Sequence, residues 1–263
     1  MRIRTRRRLS RGAAYAVFAA VVLTVALAAD WGKLADSFFR TDVAADMFPT
    51  VVTTALLNTV IYTVLAFVFG LVVGLALALA RLSTVAPYRW FATAYIEVFR
   101  GLPALLVLFL VGYGIPLAFP DREIPGGVYG SVTLGLGATA AAYTAETLRA
   151  GIQAVPRGQS EAARSLGMSA PRAMVSIVLP QALRIVLPPL TNEFVSLTKD
   201  TSLVYVLGVT AGTIELTKYA GDVLNQRVNA TPLVVAGLLY LVITLPLSQV
   251  VRHLERRSAR AVR

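Results

Sequence analysis

The sequence EAARSLGMSAPRAMVSIVLP, residues Glu161–Pro180, interrupts a chain that is otherwise strongly apolar. Of the 263 residues, 56% are hydrophobic and 15% are charged, whereas a soluble domain carries about a quarter charged residues. The stretch holds a carboxylate, two arginines and three serines, together with one glycine and two prolines that would punctuate helices. Its role depends on the apolar runs that flank it.

Six apolar runs predict six transmembrane helices. A helix needs about 20 apolar residues to cross about 30 Å of hydrocarbon. The alternating strands of a membrane barrel are absent from the sequence. We therefore predict an all-α polytopic protein embedded in the lipid bilayer of the cell membrane. The runs cover residues 12–29, 51–80, about 91–119, 131–150, about 182–209 and 232–251.

The net charge of +11 is explained by the topology of such a protein. With both termini in the cytoplasm, 19 basic residues lie on that side and five lie outside. Placing an arginine at the membrane centre costs about 2.5–3.5 kcal/mol, so this bias sets the orientation. The charge therefore indicates no nucleic-acid partner, and residues 252–263 are predicted to form a basic cytoplasmic tail.

The N-terminal residues 1–30 admit two interpretations. An arginine-rich start, an apolar run and the small residues Ala26-Leu27-Ala28 occur both in membrane anchors and in cleaved signal peptides. The run is longer than the usual 7–15 residues or so of a signal peptide, which favours an anchor. Cleavage would leave five spans. Residues 31–50 then form an external connection.

The polar segment at residues 151–180 is predicted to contain two short helices. Gly167 ends the first, because glycine accepts the left-handed dihedral angles found just past a helix. Ser169 and Pro171 start the second, which Pro180 breaks or kinks. Glu161 can pair with an arginine at i, i+3. The first helix has a shallow apolar face of Ala162, Ala163 and Leu166.

The spacing of this segment resembles the signature loop, called the EAA loop, of the membrane subunits of bacterial and archaeal ATP-binding cassette (ABC) importers. The stretches AETLRAGIQAVPRGQSEAARSLG, LPQALRIVLPPLTNEFVSLTKDTSL and YIEVFRGLPALLVLFL are similar to the polar amino-acid permease branch. The resemblance covers about residues 51–251 and implies the five-helix core of a type I importer, to which the first span is an addition. The loop residues are Glu161, Ala162, Ala163, Leu166, Gly167, Ile177, Leu179 and Pro180.

The resemblance also implies partners. The EAA loop would dock on a dimer of cytoplasmic ABC ATPases, which use ATP and Mg²⁺. A second permease subunit, either a copy of this chain or a paralogue, and an extracytoplasmic solute-binding protein complete the assembly. The substrate would be an amino acid, polar or charged. This chain itself lacks the GxxxxGK[ST] phosphate-binding loop, since its only Gly-Lys pair, Gly32-Lys33, is followed by leucine.

Polar residues in the fifth run are candidates for the substrate path, because ionisable groups at membrane depth are costly unless paired or hydrated. Glu193 and Lys199 could bracket the ammonium and carboxylate of an amino acid. Alternatively, Lys199 and Asp200 pair with each other or lie at the outer interface. The candidates are Asn192, Glu193, Ser196, Thr198, Lys199 and Asp200.

Two carboxylate–arginine pairs are predicted to form ion pairs at the cytoplasmic ends of helices, because their members are spaced at i, i+3. The pairs are Glu97 with Arg100 and Glu146 with Arg149. A role in a gate is the alternative.

Two other functions compete with an ABC permease. A secondary carrier or channel for small polar solutes would explain the spans and their charges, but not the EAA spacing. An intramembrane enzyme ranks behind both, because the chain has no Cys and a single His, His253. Thiolate chemistry and an HExxH metal site are therefore excluded, and no catalytic residue is predicted.

Overall fold

The computed structural model describes residues 2–261, with side chains described for residues 12–255. The arginine side chains of residues 1–11 and 256–263 lie outside that range, so the charge prediction for the two ends stays a prediction. The described part is helical throughout, with no strand.

Eleven helices follow one another along residues 2–261. Within them, π-helical turns occur at Val51–Leu56, Leu110–Gly114 and Met174–Val178, and a 3₁₀ turn occurs at Thr201–Leu207. The helices are α1 (Arg2–Ala28), α2 (Trp31–Phe38), α3 (Thr41–Asp46), α4 (Val51–Leu82), α5 (Ala86–Gly101), α6 (Ala104–Ala118), α7 (Val128–Ala154), α8 (Arg157–Ser165), α9 (Ala170–Leu207), α10 (Leu216–Arg227) and α11 (Thr231–Ala261).

Three of these helices, α4, α9 and α11, are each long and apolar enough to cross a membrane. Two bent pairs meet the same criteria only when each pair is taken together. The first joins α1 to the segment of α2 and α3 across a bend of 75°, and the second joins α5 to α6 across a bend of 107°. The described residues thus contain three spans, or up to five if each bent pair is one span.

The predicted third span at about 91–119 is not one straight helix. It is divided between α5 and α6, which meet at the 107° bend. The bend lies at Leu102-Pro103, where Leu102 is extended with φ −92° and ψ 141°. Proline disfavours helical dihedral angles in the residue before it. The hydropathy of the run does not reveal this effect of proline on the backbone, so it predicted a straight span.

The predicted fourth span corresponds to α7, which is the buried centre of the fold. It packs against α4, α5, α6 and α9. Its small residues permit close approach: a Cβ on Gly74 of α4 would lie 2.9 Å from the carbonyl oxygen of Ala141, and one on Gly151 would lie 2.0 Å from Val186 Cγ1 of α9. Small residues are the usual contact points between membrane helices. By length and composition, however, α7 is not among the three helices that qualify as spans.

The polar segment folds partly as predicted. α8 ends at Ser165 and is followed by Gly167, whose φ is +85°. The amide of Met168 donates to the carbonyl of Ala163 at 3.1 Å and that of Gly167 donates to Arg164 at 3.0 Å, which is a Schellman cap. The second helix, however, does not end at Pro180. It continues as α9 to Leu207, because the π-helical turn just before Pro180 accommodates the missing N–H.

Candidate functional site

The EAA loop residues lie on a helical hairpin made of α8 and the start of α9. Ala163 and Ala173 are buried where the two helices pack, with 5% and 2% of their surfaces exposed. The side chain of Gln181 donates to the carbonyl of Ile177 at 2.9 Å and reaches Gln159 of α8 at 3.4 Å. The hairpin is therefore a packed unit, which can move as one body.

The apolar face predicted on α8 is divided by this packing. Ala163 is turned into the hairpin, while Ala162 is exposed and Leu166 is 85% exposed. Ile177 and Leu179 are half-buried in α9, and Pro180 is exposed. The open apolar surface of the hairpin therefore centres on Leu166 rather than on three residues of one face.

The predicted pair of Glu161 with Arg164 is not formed. Both residues are exposed, and the structure shows no ion pair for either within the described part of the chain. The carbonyl of Glu161 instead accepts a hydrogen bond from the hydroxyl of Ser165 at 3.0 Å. The carboxylate and the guanidinium are thus both open to a partner.

An ion-pair cluster lies immediately before α8 and joins α4, α5 and α7. We call it the inner cluster: Arg81, Glu97, Glu146 and Arg149. Glu146 contacts Arg149, as predicted, and also accepts from Arg81 Nη1 at 2.6 Å. Arg149 donates further to Gln153 at 2.5 Å. Since α7 ends at Ala154, the cluster is within about two turns of the hairpin.

The predicted pairing of Glu97 with Arg100 is wrong. Glu97 lies 3.9 Å from Arg81 of α4, and the guanidinium carbon of Arg100 lies 5.6 Å from the ring centre of Tyr143, within the range of a cation–π contact. The i, i+3 rule considers one helix at a time, so it could not identify Arg81 as the residue shared by both carboxylates.

The candidate path residues form one polar stripe along α9. Asn192, Ser196 and Lys199 repeat at i, i+4 and i+7, and Glu193 and Asp200 flank them. Asn192 and Lys199 are exposed, while Glu193, Ser196 and Asp200 are half-buried.

Thr198 is set apart from this stripe. It is buried, and its hydroxyl donates to the carbonyl of Phe194 at 2.9 Å. Its polar group is thus satisfied inside the helix.

The charged groups of the stripe have no partner within the described residues. The side chains of Glu193, Lys199 and Asp200 make no hydrogen bond or ion pair there, so the alternative of a Lys199–Asp200 pair is not realised. A charged stripe on a membrane helix is unfavourable against lipid. It therefore requires water or another protein chain alongside it.

A second polar cluster, which the sequence analysis missed, holds the connection between α9 and α10. We call it the outer cluster: Asn58, Tyr62, Tyr129, Glu215 and Tyr240. Glu215 is fully buried. Its carboxylate accepts from the amides of Thr217 and Lys218 at 2.6 Å each, at the start of α10, and from the hydroxyl of Tyr240 at 3.2 Å. Burial raises the pKa of Glu215, and the two amides act in the opposite direction.

The rest of the outer cluster binds the backbone of residues 212–214. Asn58 Nδ2 donates to the carbonyls of Gly212 and Ile214, both at 2.9 Å. The hydroxyl of Tyr62 donates to the carbonyl of Thr213 at 2.6 Å, and that of Tyr129 donates to Asn58 Oδ1 at 2.7 Å. The available sequence signal was Asn58 and Tyr62, polar groups one turn apart in an otherwise apolar run.

Three comparisons relate this chain to known proteins. Residues 66–260 match the family described as the binding-protein-dependent transport system inner membrane component. A probable glutamine ABC transporter permease protein of Bacillus subtilis (strain 168) is 41% identical over 182 residues, which are 68% of this chain and 80% of that protein. A glutamate/aspartate import permease protein of Escherichia coli O157:H7 is 40% identical over 192 residues, covering 69% and 82%.

Among solved structures, an amino acid ABC transporter with histidines superimposes with a TM-score of 0.72 and 35% sequence identity. The match covers 81% of this chain and 96% of that one. The similarity therefore extends over nearly the whole of the solved subunit.

Proposed function

This chain belongs to the family of binding-protein-dependent transport system inner membrane components, as an amino-acid ABC transporter permease with the type I fold, and we propose that a separate cytoplasmic ATPase drives it through the α8 hairpin. It is a transport component rather than an enzyme. The observation that carries the proposal is the exposure of Leu166 on a capped, packed hairpin. A large apolar side chain that is 85% exposed beside an open carboxylate suits a protein partner.

The route from the hairpin to the membrane is continuous. α8 packs on the first turns of α9, and α9 runs on to the polar stripe. From Ala173 to Asp200 is about 40 Å at 1.5 Å per residue. A displacement of α8 by an ATPase is thus transmitted along one helix to Lys199 and Asp200.

We further propose that the stripe lines the substrate path, opposite a second permease subunit. Lys199 would bind the carboxylate of the amino acid, and Glu193 or Asp200 its ammonium. The support is chemical: within the described residues these charges form no hydrogen bond or ion pair, and a zwitterion supplies both signs. The relatives named for glutamine and for glutamate/aspartate favour a polar or charged amino acid.

The complete assembly in this proposal has two ATPases, which consume ATP and Mg²⁺, two permease subunits and an external solute-binding protein. It lies in the cytoplasmic membrane of a bacterium or archaeon with both termini of this chain in the cytoplasm. α1 is a span added to the five-helix core.

The test is uptake by vesicles that contain the purified assembly, with ATP enclosed and binding protein present. We expect radiolabelled glutamine, glutamate, aspartate or arginine to accumulate only when both ATP and the ATPase are present. Accumulation driven by a proton or sodium gradient, without the ATPase, would show a secondary carrier instead.

The variant Leu166→Asp tests whether Leu166 contacts the ATPase. We expect it to insert normally but to lose most ATP-driven uptake and ATPase co-purification, because a charge replaces the apolar contact. The matched control is Val228→Asp, which changes a side chain that is 89% exposed in the turn between α10 and α11. Equal behaviour of the two variants would exclude Leu166 from the docking site.

A further inference from the structure

A short helix of unusual orientation follows α1. The chain bends by 75° between Gly12–Ala28 and Trp31–Asp46, so the segment that holds α2 and α3 turns sharply away from the axis of α1. The bend is held by two local hydrogen bonds. Trp31 Nε1 donates to the carbonyl of Ala26 at 2.7 Å, and Asp30 Oδ1 accepts from the amide of Lys33 at 3.1 Å. If α1 crosses the membrane, α2 runs along the membrane surface where α1 emerges.

The sequence of α2 is amphipathic. Its apolar side chains repeat at i, i+3, i+4 and i+7, which places them on one face. That face is open: Trp31 is 61%, Leu34 39% and Phe38 40% exposed. The other face carries Lys33, Asp36 and Ser37. The apolar face consists of Trp31, Leu34, Ala35 and Phe38.

The rotation of α2 is fixed by bonds from the turn that begins α11. The amide of Ala230 donates to the carbonyl of Ser37 at 2.8 Å, and Asn229 Nδ2 donates to the carbonyl of Asp36 at 2.7 Å. The amide of Arg40 donates to Thr231 Oγ1 at 2.9 Å. The helix is thus attached at its C-terminal end, with its apolar face left open.

The open apolar face of α2 is continuous with the exposed apolar surface of α1, which is suited to contact with lipid. On α1, Phe18, Leu23 and Leu27 are 69%, 59% and 78% exposed, as expected of a span that faces lipid. The apolar face of α2 begins where that surface ends, since Trp31 is bonded to Ala26. Tryptophan is the residue typical of the boundary between acyl chains and headgroups.

From this geometry we propose that α2 is an interfacial helix whose apolar face binds the acyl-chain and headgroup boundary of the outer lipid leaflet. Because α2 is bonded to Asn229 and Ala230, this contact sets the depth of the α10–α11 turn in the membrane. The assignment to the outer leaflet rests on the proposed topology, in which both termini lie in the cytoplasm. The lipid contact itself is independent of whether the α8 hairpin docks on an ATPase.

The chain suits a fluorescence test, since it holds only two tryptophans, Trp31 and Trp90. The full-length Trp90→Phe variant is placed in phosphatidylcholine–phosphatidylglycerol vesicles whose lipids carry bromine either near the headgroup end of the acyl chain or near its terminal methyl. We expect Trp31 to be quenched more strongly by the shallow bromine than by the deep one, and weakly by iodide present on both sides.

A matched control carries the single tryptophan on the opposite face of the same helix, as Lys33→Trp with Trp31→Phe and Trp90→Phe. Lys33 has an 85% exposed side chain, so we expect iodide to quench this variant several-fold more than bromolipid does. Three results for Trp31 would each overturn the proposal. Quenching by iodide alone means a face in water, quenching by neither agent means a protein partner, and stronger quenching by the deep bromine means a spanning helix.

Discussion

The inner and outer clusters both hold α4 and α7, but by different kinds of bond. In the outer cluster, side chains of α4, α7 and α11 bind backbone groups or one another around a fully buried carboxylate. In the inner cluster, long charged side chains of α4, α5 and α7 bind one another, and Arg81 and Glu146 each have two partners.

The two kinds of bond differ in how readily the segments that they hold can change conformation. A buried side chain that satisfies backbone groups leaves them unpaired if the segment shifts, at a cost of about 1–3 kcal/mol for each group. Partly exposed ion pairs contribute only about 0–1 kcal/mol and can exchange partners. We therefore infer that the end of the fold with the outer cluster is fixed in one conformation, while the end with the inner cluster, next to the α8 hairpin, can rearrange during transport.

The largest effect is expected at Glu215. Glu215→Ala removes the acceptor from two helix-start amides and from Tyr240, so we expect a loss of about 3 kcal/mol in the free energy of unfolding. The thermal unfolding midpoint of the purified protein in detergent measures it. Glu215→Gln keeps one acceptor oxygen but turns its NH2 toward the other donor amide, so it should recover only part of the loss. An unchanged midpoint for Glu215→Ala would contradict the outer cluster's role.

The next effect is expected at Asn58. Asn58→Leu leaves the carbonyls of Gly212 and Ile214 and the hydroxyl of Tyr129 without their partner, at about 2 kcal/mol. Tyr62→Phe removes a single bond, to Thr213, and should cost about 1 kcal/mol by the same measurement. If the Tyr62 variant proved the more damaging, the connection would not be held as described.

The inner cluster should behave differently. Glu146→Gln is expected to lower stability by about 1 kcal/mol or less, because its ion pairs are partly exposed. ATP-driven uptake should fall further than stability does. A stability loss as large as that of Glu215→Ala would remove the distinction between the two ends.

The smallest effect on stability is expected at Leu166. Leu166→Ser changes a side chain outside the packed core, so the unfolding midpoint should stay within about 0.5 kcal/mol of the parent value. Uptake should nevertheless fall. A variant that is both stable and fully active would show that Leu166 contacts no partner.

Local features of the sequence predicted local structure well. The end of α8 follows from Gly167, which supplies a positive φ. Of the three pairs expected from i, i+3 spacing on one helix, only Glu146–Arg149 is formed. Features that depend on distant contacts were not predictable in this way. Arg81 lies 65 residues from Glu146, and nothing in the sequence marks them as neighbours.

Two other structural features were marked in the sequence, but a stronger pattern in the surrounding residues pointed to a different structure. Leu102-Pro103 marked the bend between α5 and α6, but the surrounding run is apolar enough to suggest a straight span. Glu215 lies in a short polar connection, where a carboxylate is normally solvated. Its burial follows from the packing of Tyr240 and α4 around it, which no local pattern reveals.

The most direct test of the central claim uses the absence of cysteine from this chain. Leu166→Cys gives one thiol on the α8 hairpin, and Val228→Cys gives one at the α10–α11 turn. Each is labelled with a maleimide in the presence and absence of the cognate ATPase. If the ATPase docks on the hairpin, it should slow labelling at position 166 by about tenfold or more, since a docked side chain is excluded from water. Labelling at position 228 should be unchanged. Equal rates at position 166 with and without the ATPase would contradict coupling through this hairpin.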